Sequence, residues 1–308
     1  MNKKAYIFSI VTFVVVAVIG VTLLTYSSSS SSSQAHEHIL SADRFIQQFE
    51  QDFPRALQIT AYRSLLGLEE HVTNTGEYLD DVNIAFLEII TIGSINNISY
   101  EVMDDATLGV FELRMQEIAS QIGLDFSLSI QNVSIKHVDA FTVEVASTTR
   151  TFVQTRDEQT SWNYTTTLTS EFSIEQLRDP LYAVQTQGRV PNVITRSNVT
   201  KPYITADNDT TNLQLLYNNS YYVPHQQAPS FLMRFSNNLS ASEYGIASLV
   251  NINNLNTQDV PVFTDRSLVD YRYFAGVPTS TNTIINMPSE FVLDNDNLAV
   301  YDAEGKTT

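Results

Sequence analysis

The chain has 308 residues, room for one or two domains, and carries 34 acidic against 17 basic side chains, a formal net charge of −17. That balance repels phosphate and excludes nucleic acid as a partner. The lack of any cysteine excludes disulfides, thiol catalysis, thiolate-held zinc and iron–sulfur clusters.

In chain order, the first element is apolar. Residues Ala5 to Tyr26 contain no charged side chain, and as a helix they would span roughly 30 Å, the hydrocarbon thickness of a bilayer. Tyr6 and Tyr26 sit at the two ends, and Lys3 and Lys4 precede the run, the pattern that keeps an N-terminus cytoplasmic. The sequence predicts a cytoplasmic tip and transmembrane anchor over 1–26, a single-pass protein in the cell membrane, with everything that follows extracellular. A cleaved signal peptide, with Ser33-Gln34-Ala35 as its processing site, is the competing reading, and a buried core helix is the third. Seven serines, Ser27 to Ser33, predict a flexible linker over 27–37.

The next segment, 38–187, is predicted as an α+β ectodomain: a helical arm followed by an antiparallel sheet packed on helices. Phe45, Phe49 and Phe53, then Leu57, Ala61, Leu65, Leu68 and Val72, recur at three- and four-residue steps, with a kink expected at Pro54. A helix is expected over Asp81–Ile92 with Ile84, Leu87 and Ile90 or Ile92 inward. Another is expected over Asp104–Ile122 on Leu108, Phe111, Met115, Ile118 and Ile122, closed by Gly123. The period then falls to two. Phe126, Leu128 and Ile130, then Phe141, Val143 and Val145, then Leu168, Phe172 and Ile174, predict three strands ending near Asp179-Pro180. Residues 188–308 are predicted as a β-rich C-terminal domain, with strands at Phe231–Phe235, Ile246–Val250, Leu268–Phe274, Phe291–Leu293 and Leu298–Tyr301.

A basic tip, one long apolar helix, an amphipathic helix and then an antiparallel sheet together resemble archaeal type IV pilin-like proteins. Lys3-Lys4-Ala5-Tyr6 is similar to a prepilin cleavage junction, with cleavage after Ala5. Ile10 stands where such families usually carry a Glu. Strings such as Asp179-Pro180-Leu181-Tyr182, Ser230-Phe231-Leu232-Met233-Arg234 and Val269-Asp270-Tyr271-Arg272-Tyr273-Phe274 resemble uncharacterised archaeal membrane-anchored surface proteins. The resemblance implies a non-enzymatic, pilin-like structural or assembly subunit at the cell surface. Its partners would be the bilayer and other surface or pilus subunits.

Chemistry-bearing motifs are sparse. Seven N-x-S/T sequons, at Asn97, Asn132, Asn163, Asn198, Asn208, Asn218 and Asn238, all follow the apolar run and make the chain a candidate glycoprotein. His36-Glu37-His38 has the wrong spacing for a zinc-binding helix face. Asp207-Asn208-Asp209 and Asp294-Asn295-Asp296-Asn297 lack the glycine and the terminal Glu of a calcium loop. Neither a G-x-S-x-G elbow nor a phosphate-binding glycine loop occurs. No catalytic residue, metal or cofactor is therefore predicted. Phe45, Phe49 and Phe53 are the candidate partner-binding residues of the arm. Tyr217, Tyr221 and Tyr222 are the candidate aromatic platform of an alternative function, a surface adhesin that binds glycan or protein.

Overall fold

A computed structural model describes the backbone of residues 3–308 and the side chains of residues 39–308. The chain is a mixed α+β protein that begins with one 73-residue helix, α1 (Lys3–Thr75), running through Pro54. From Ala42 its apolar residues form the predicted stripe: Phe49, Phe53, Leu57, Ala61, Leu65, Leu68 and Val72 are all fully buried. Gly76, at φ +69°, ends it and returns its N–H to the Val72 carbonyl at 3.0 Å.

The transmembrane expectation is corrected. Among the described residues no helix is long and apolar enough to cross a membrane. That finding overturns the anchor, the single-pass topology and the membrane location with an extracellular C-terminal part. Ala5–Tyr26 lie in α1, but their side chains are outside the described residues. Beyond them α1 is amphipathic: Asp43, Arg44, Glu50, Arg55 and Glu70 stand exposed opposite the stripe, where a hydrocarbon environment would leave them unsolvated. Ser27–Ser33, expected as a spacer, run as helix within α1.

Helix α2 (Val82–Ile92) is bounded as its sequence predicts. Asp81 accepts the N–H groups of Asn83 and Ile84 at 2.8 and 3.1 Å, and Gly93, at φ +78°, closes the other end on Ile89 O. Its orientation matches the prediction only at Ile90. Ala85, Phe86, Ile89 and Ile90 are buried, whereas Ile84 and Ile92 are each 66 % exposed. Ile89 lies against Gly67 of α1, where an added Cβ would stand 2.3 Å from Ile89 Cδ1. A hairpin absent from the sequence reading follows, β1 (Ser94–Ile95) and β2 (Ile98–Ser99), turned by Asn96 and Asn97 at φ 51° and 65°. A short 3-10 turn (Glu101–Met103) leads to α3 (Leu108–Gln121), whose Leu108, Met115 and Ala119 are buried but whose Ile118 is exposed.

The expected meander is present as β3 (Leu124–His137), β4 (Thr142–Thr155) and β5 (Ser161–Ser173), in that order across the sheet. Along β3 the buried positions are even-numbered through Leu128 and odd-numbered from Val133. Those of β4 stay odd from Val143 to Thr155. A phase change in one strand but not its neighbour requires one extra residue, a bulge near Ile130–Asn132, and Ile130 is accordingly only half-buried. The inward row of β4 passes from Val143 and Val145 to the buried hydroxyls of Ser147 and Thr149, neither of which has a hydrogen-bond partner.

The remainder corrects the β-rich expectation. Phe231–Arg234 and Asp270–Phe274, read as strands, are the short helices α6 and α8. Leu298–Tyr301, also read as a strand, is turn. Between β5 and the C-terminus run α4 (Pro180–Gln185), α5 (Thr211–Asn219) and α7 (Ile252–Thr257), with two-stranded ribbons β6 (Val223–Pro224)–β7 (Ile246–Ala247) and β8 (Thr281–Thr283)–β9 (Val292–Asp294). These elements share one apolar core that includes Tyr182, Leu213, Val269, Tyr273 and Phe291. At Gly245 an added Cβ would fall 2.1 Å from Ala228 O and 2.3 Å from His225 O, so only glycine lets these two loop segments close on each other.

By chain compactness the residues divide into two units. One comprises residues 1–52, 112–129 and 150–166; the other comprises 53–111, 130–149 and 167–308. In the first, Phe126 of β3 meets Phe45 and Phe49 of α1, each at 5.4 Å between ring centres. The second contains Phe53 against Phe111 and all of the C-terminal elements.

Candidate functional site

Within the second unit a groove of about 520 Å³ follows one flank of α1. Gln58, Ile59, Tyr62 and Leu66 form its floor, Val102 one wall and Phe172 the other. A second recess of about 560 Å³ adjoins it through Leu66 and Val102 and is polar, lined by Glu69, Glu70, Gln176 and Arg178. Glu69 is 5 % exposed, and its Oε1 accepts the Arg178 main-chain N–H at 3.0 Å. Burial pushes its pKa up to about 8, against the opposing pull of the Arg178 N–H and guanidinium.

A carboxyl that stays protonated at neutral pH can donate a hydrogen bond to a ligand. The recess supplies no paired nucleophile and base: His71, one residue beyond Glu70, is buried with its Nδ1 2.6 Å from Tyr100 OH. Among the described residues no group of three or more His, Asp or Glu side chains is arranged to hold a metal ion. His36 and His38 lie outside the described side chains.

The proton on Glu69 has a measurable consequence. Unfolded, the group ionises near its ordinary value of 4.5; folded, it holds its proton to about pH 8. Its contribution is therefore complete below pH 4.5 and is lost as pH rises toward 8, because only the unfolded chain gains by ionising. Glu69→Gln keeps the acceptor oxygen and removes the titration. At pH 8 the variant is expected to melt about 5 °C above wild type, with the difference vanishing at pH 4.5. Thermal melts at the two pH values check this, and an equal offset at both would refute the assignment.

A second constellation lies deeper. Arg234 Nη1 bridges Asp179 Oδ2 at 2.6 Å and Asp270 Oδ2 at 2.9 Å, and all three side chains have zero exposure. Arg234 Nη2 donates to Ile246 O. Asp179 also accepts Tyr222 OH at 2.7 Å and, as N-cap of α4, the Leu181 N–H at 2.8 Å. Asp270 Oδ2 takes both the N–H and the hydroxyl of Ser248 at 3.0 Å. Burial opposes the charge on Arg234, but the two carboxylates outweigh it and hold the guanidinium pKa above its ordinary value. No solvent path reaches this cluster, so it ties α4, α6 and α8 together rather than meeting a substrate.

No family model, curated protein or solved structure matches the chain. Function is therefore read from the placement of the residues themselves.

That placement corrects several predicted sites. Phe45, Phe49 and Phe53 are 4 % exposed or less and face inward, so they build the core and present nothing to a partner. Tyr217, Tyr221 and Tyr222 form no exposed platform. Tyr217 is packed edge-on against Phe291 at 5.3 Å, Tyr222 is fully buried on Asp179, and Tyr221 is half-buried against the same core. Six sequon asparagines, Asn97, Asn132, Asn163, Asn198, Asn218 and Asn238, are exposed. Asn208 is half-buried, with its Oδ1 accepting Lys306 Nζ at 2.6 Å. The sequence reading missed Glu69 and Arg234. Glu69 left a trace: it falls on the apolar stripe, four residues after Leu65 and three before Val72. Arg234 left none, because its partners lie 55 and 36 residues away.

Proposed function

We propose that the chain is a structural assembly subunit of pilin-like design, in which α1 performs two tasks along its length. From Ala42 to Val72 one side of it is a buried apolar spine. The same helix carries the uncharged run Ala5–Tyr26, which demands burial of its own. Copies of this run packing side by side in a helical bundle satisfy that demand. The observation that carries the reading is the continuity of α1 from Lys3 to Thr75, which couples such a bundle directly to the folded part of each subunit. The alternative adhesin reading loses its support with the burial of Tyr217 and Tyr222.

Sedimentation velocity and negative-stain electron microscopy of the full chain test this reading. Ordered multimers are expected, and Val15→Asp combined with Val18→Asp should dissolve them while leaving the melting temperature of the folded part unchanged. A full chain that sediments as a monomer at all concentrations would exclude the reading.

A further inference from the structure

Helix α2 carries large apolar residues on its outer side as well as its inner one, and only the inner side is used. Its inner residues pack into the second unit, whereas Ile84 and Ile92 are 66 % exposed, Leu87 41 %, and Ile98 of the adjoining hairpin 47 %. Glu88, one helical turn from both Ile84 and Ile92, lies among them and accepts the hairpin N–H of Asn96 at 3.1 Å. Four large aliphatic side chains on one surface need a partner that removes them from water.

The charges around this face say which partner. Between residues 64 and 113 the sequence has ten Asp and Glu and no Lys or Arg. Asp80 and Asp81 sit exposed at the N-terminal end of α2. At its other end, Gly93 lies against Met103 and Thr107, which brings the exposed Asp104-Asp105 turn alongside. Arg63, just outside the run, donates to the main-chain oxygens of Val102 and Asp104, which sets one positive charge beside the Asp104-Asp105 turn. The face is thus aliphatic, with the carboxylate of Glu88 set within it and acid at both ends. A second copy would set acid against acid, and an anionic bilayer would be repelled in the same way. An amphipathic helix with an aliphatic stripe flanked by lysine or arginine satisfies both parts at once.

We propose that the outer face of α2, with the β1–β2 hairpin, is a docking surface for a basic amphipathic helix of another protein. This does not depend on whether α1 assembles.

The test uses the full chain and two short synthetic helices that share one leucine stripe, flanked by lysine in one and by glutamate in the other. Fluorescence anisotropy should show the lysine peptide binding and the glutamate peptide not. Ile84→Ser, Leu87→Ser and Ile92→Ser combined should weaken the lysine peptide by about tenfold or more, as should Asp80→Lys with Asp104→Lys. All these positions are exposed, so the melting temperature should not move, and melts run in parallel confirm folding. Binding should also weaken with added salt. Equal affinity for the two peptides overturns the proposal, as does binding indifferent to the serine variants. So does a dimer, or binding to phosphatidylserine vesicles, that the serine variants abolish.

Discussion

Replacing Arg234 by leucine is expected to cost the fold about 3–5 kcal/mol, because the substitution leaves two carboxylates buried without a counter-charge. Asp179 and Asp270 have zero exposure and share one guanidinium nitrogen, so neither can turn to water once that nitrogen is gone. The expected fall in melting temperature is about 10 °C. The triple variant Arg234→Leu, Asp179→Asn, Asp270→Asn should recover most of it, since amides keep several of the hydrogen bonds from Tyr222, Leu181 and Ser248 without the charge. Thermal or urea unfolding of the single and triple variants decides the matter. If the single variant melts like wild type, the cluster does not hold α4, α6 and α8 together. If the triple is no better than the single, the loss is one of packing rather than charge.

A comparable loss, about 3–5 kcal/mol, is expected for Phe49→Ala. The ring is fully buried and lies against Phe126, which also meets Phe45 at the same 5.4 Å spacing. Truncation would open a cavity between α1 and β3 in the first unit. The result also separates the two roles considered for this residue. A partner-facing phenylalanine would lose assembly at unchanged stability, whereas a core phenylalanine lowers the unfolding midpoint of the isolated chain. An unchanged midpoint would restore the partner-facing role.

What the sequence disclosed depended on how periodic each segment was. The stripe of α1 from Phe45 to Val72 was legible because its apolar residues recur at three- and four-residue steps against a polar background. The ends of α2 were legible from Asp81 and Gly93, but its face was not. In VNIAFLEIITI nearly every position is apolar, so the pattern cannot say which side turns inward. Strand β4 was seen only at Val143 and Val145, with Phe141 just before it, since Ser147, Thr149 and Thr151 occupy inward positions where alternation of polarity is silent. Helices α6 and α8, of four and five residues, are too short to establish a helical period and were read as strands from their aromatic content. The polar recess was illegible except at Glu69, because Gln176 and Arg178 reach it from more than a hundred residues further along the chain.

The extra residue in β3 has a bearing on sliding. A strand whose inward set keeps one parity throughout can shift by two residues along its neighbour and still turn apolar side chains the same way. In β3, Leu124, Phe126 and Leu128 keep one parity, and Val133 and Ile135 the other. Any displacement past β4 moves the irregularity away from where the two parities meet, and at least one pair of aliphatic residues is turned to water. The bulge thus acts as a detent, a notch that leaves a long, threonine-rich ribbon only one resting position.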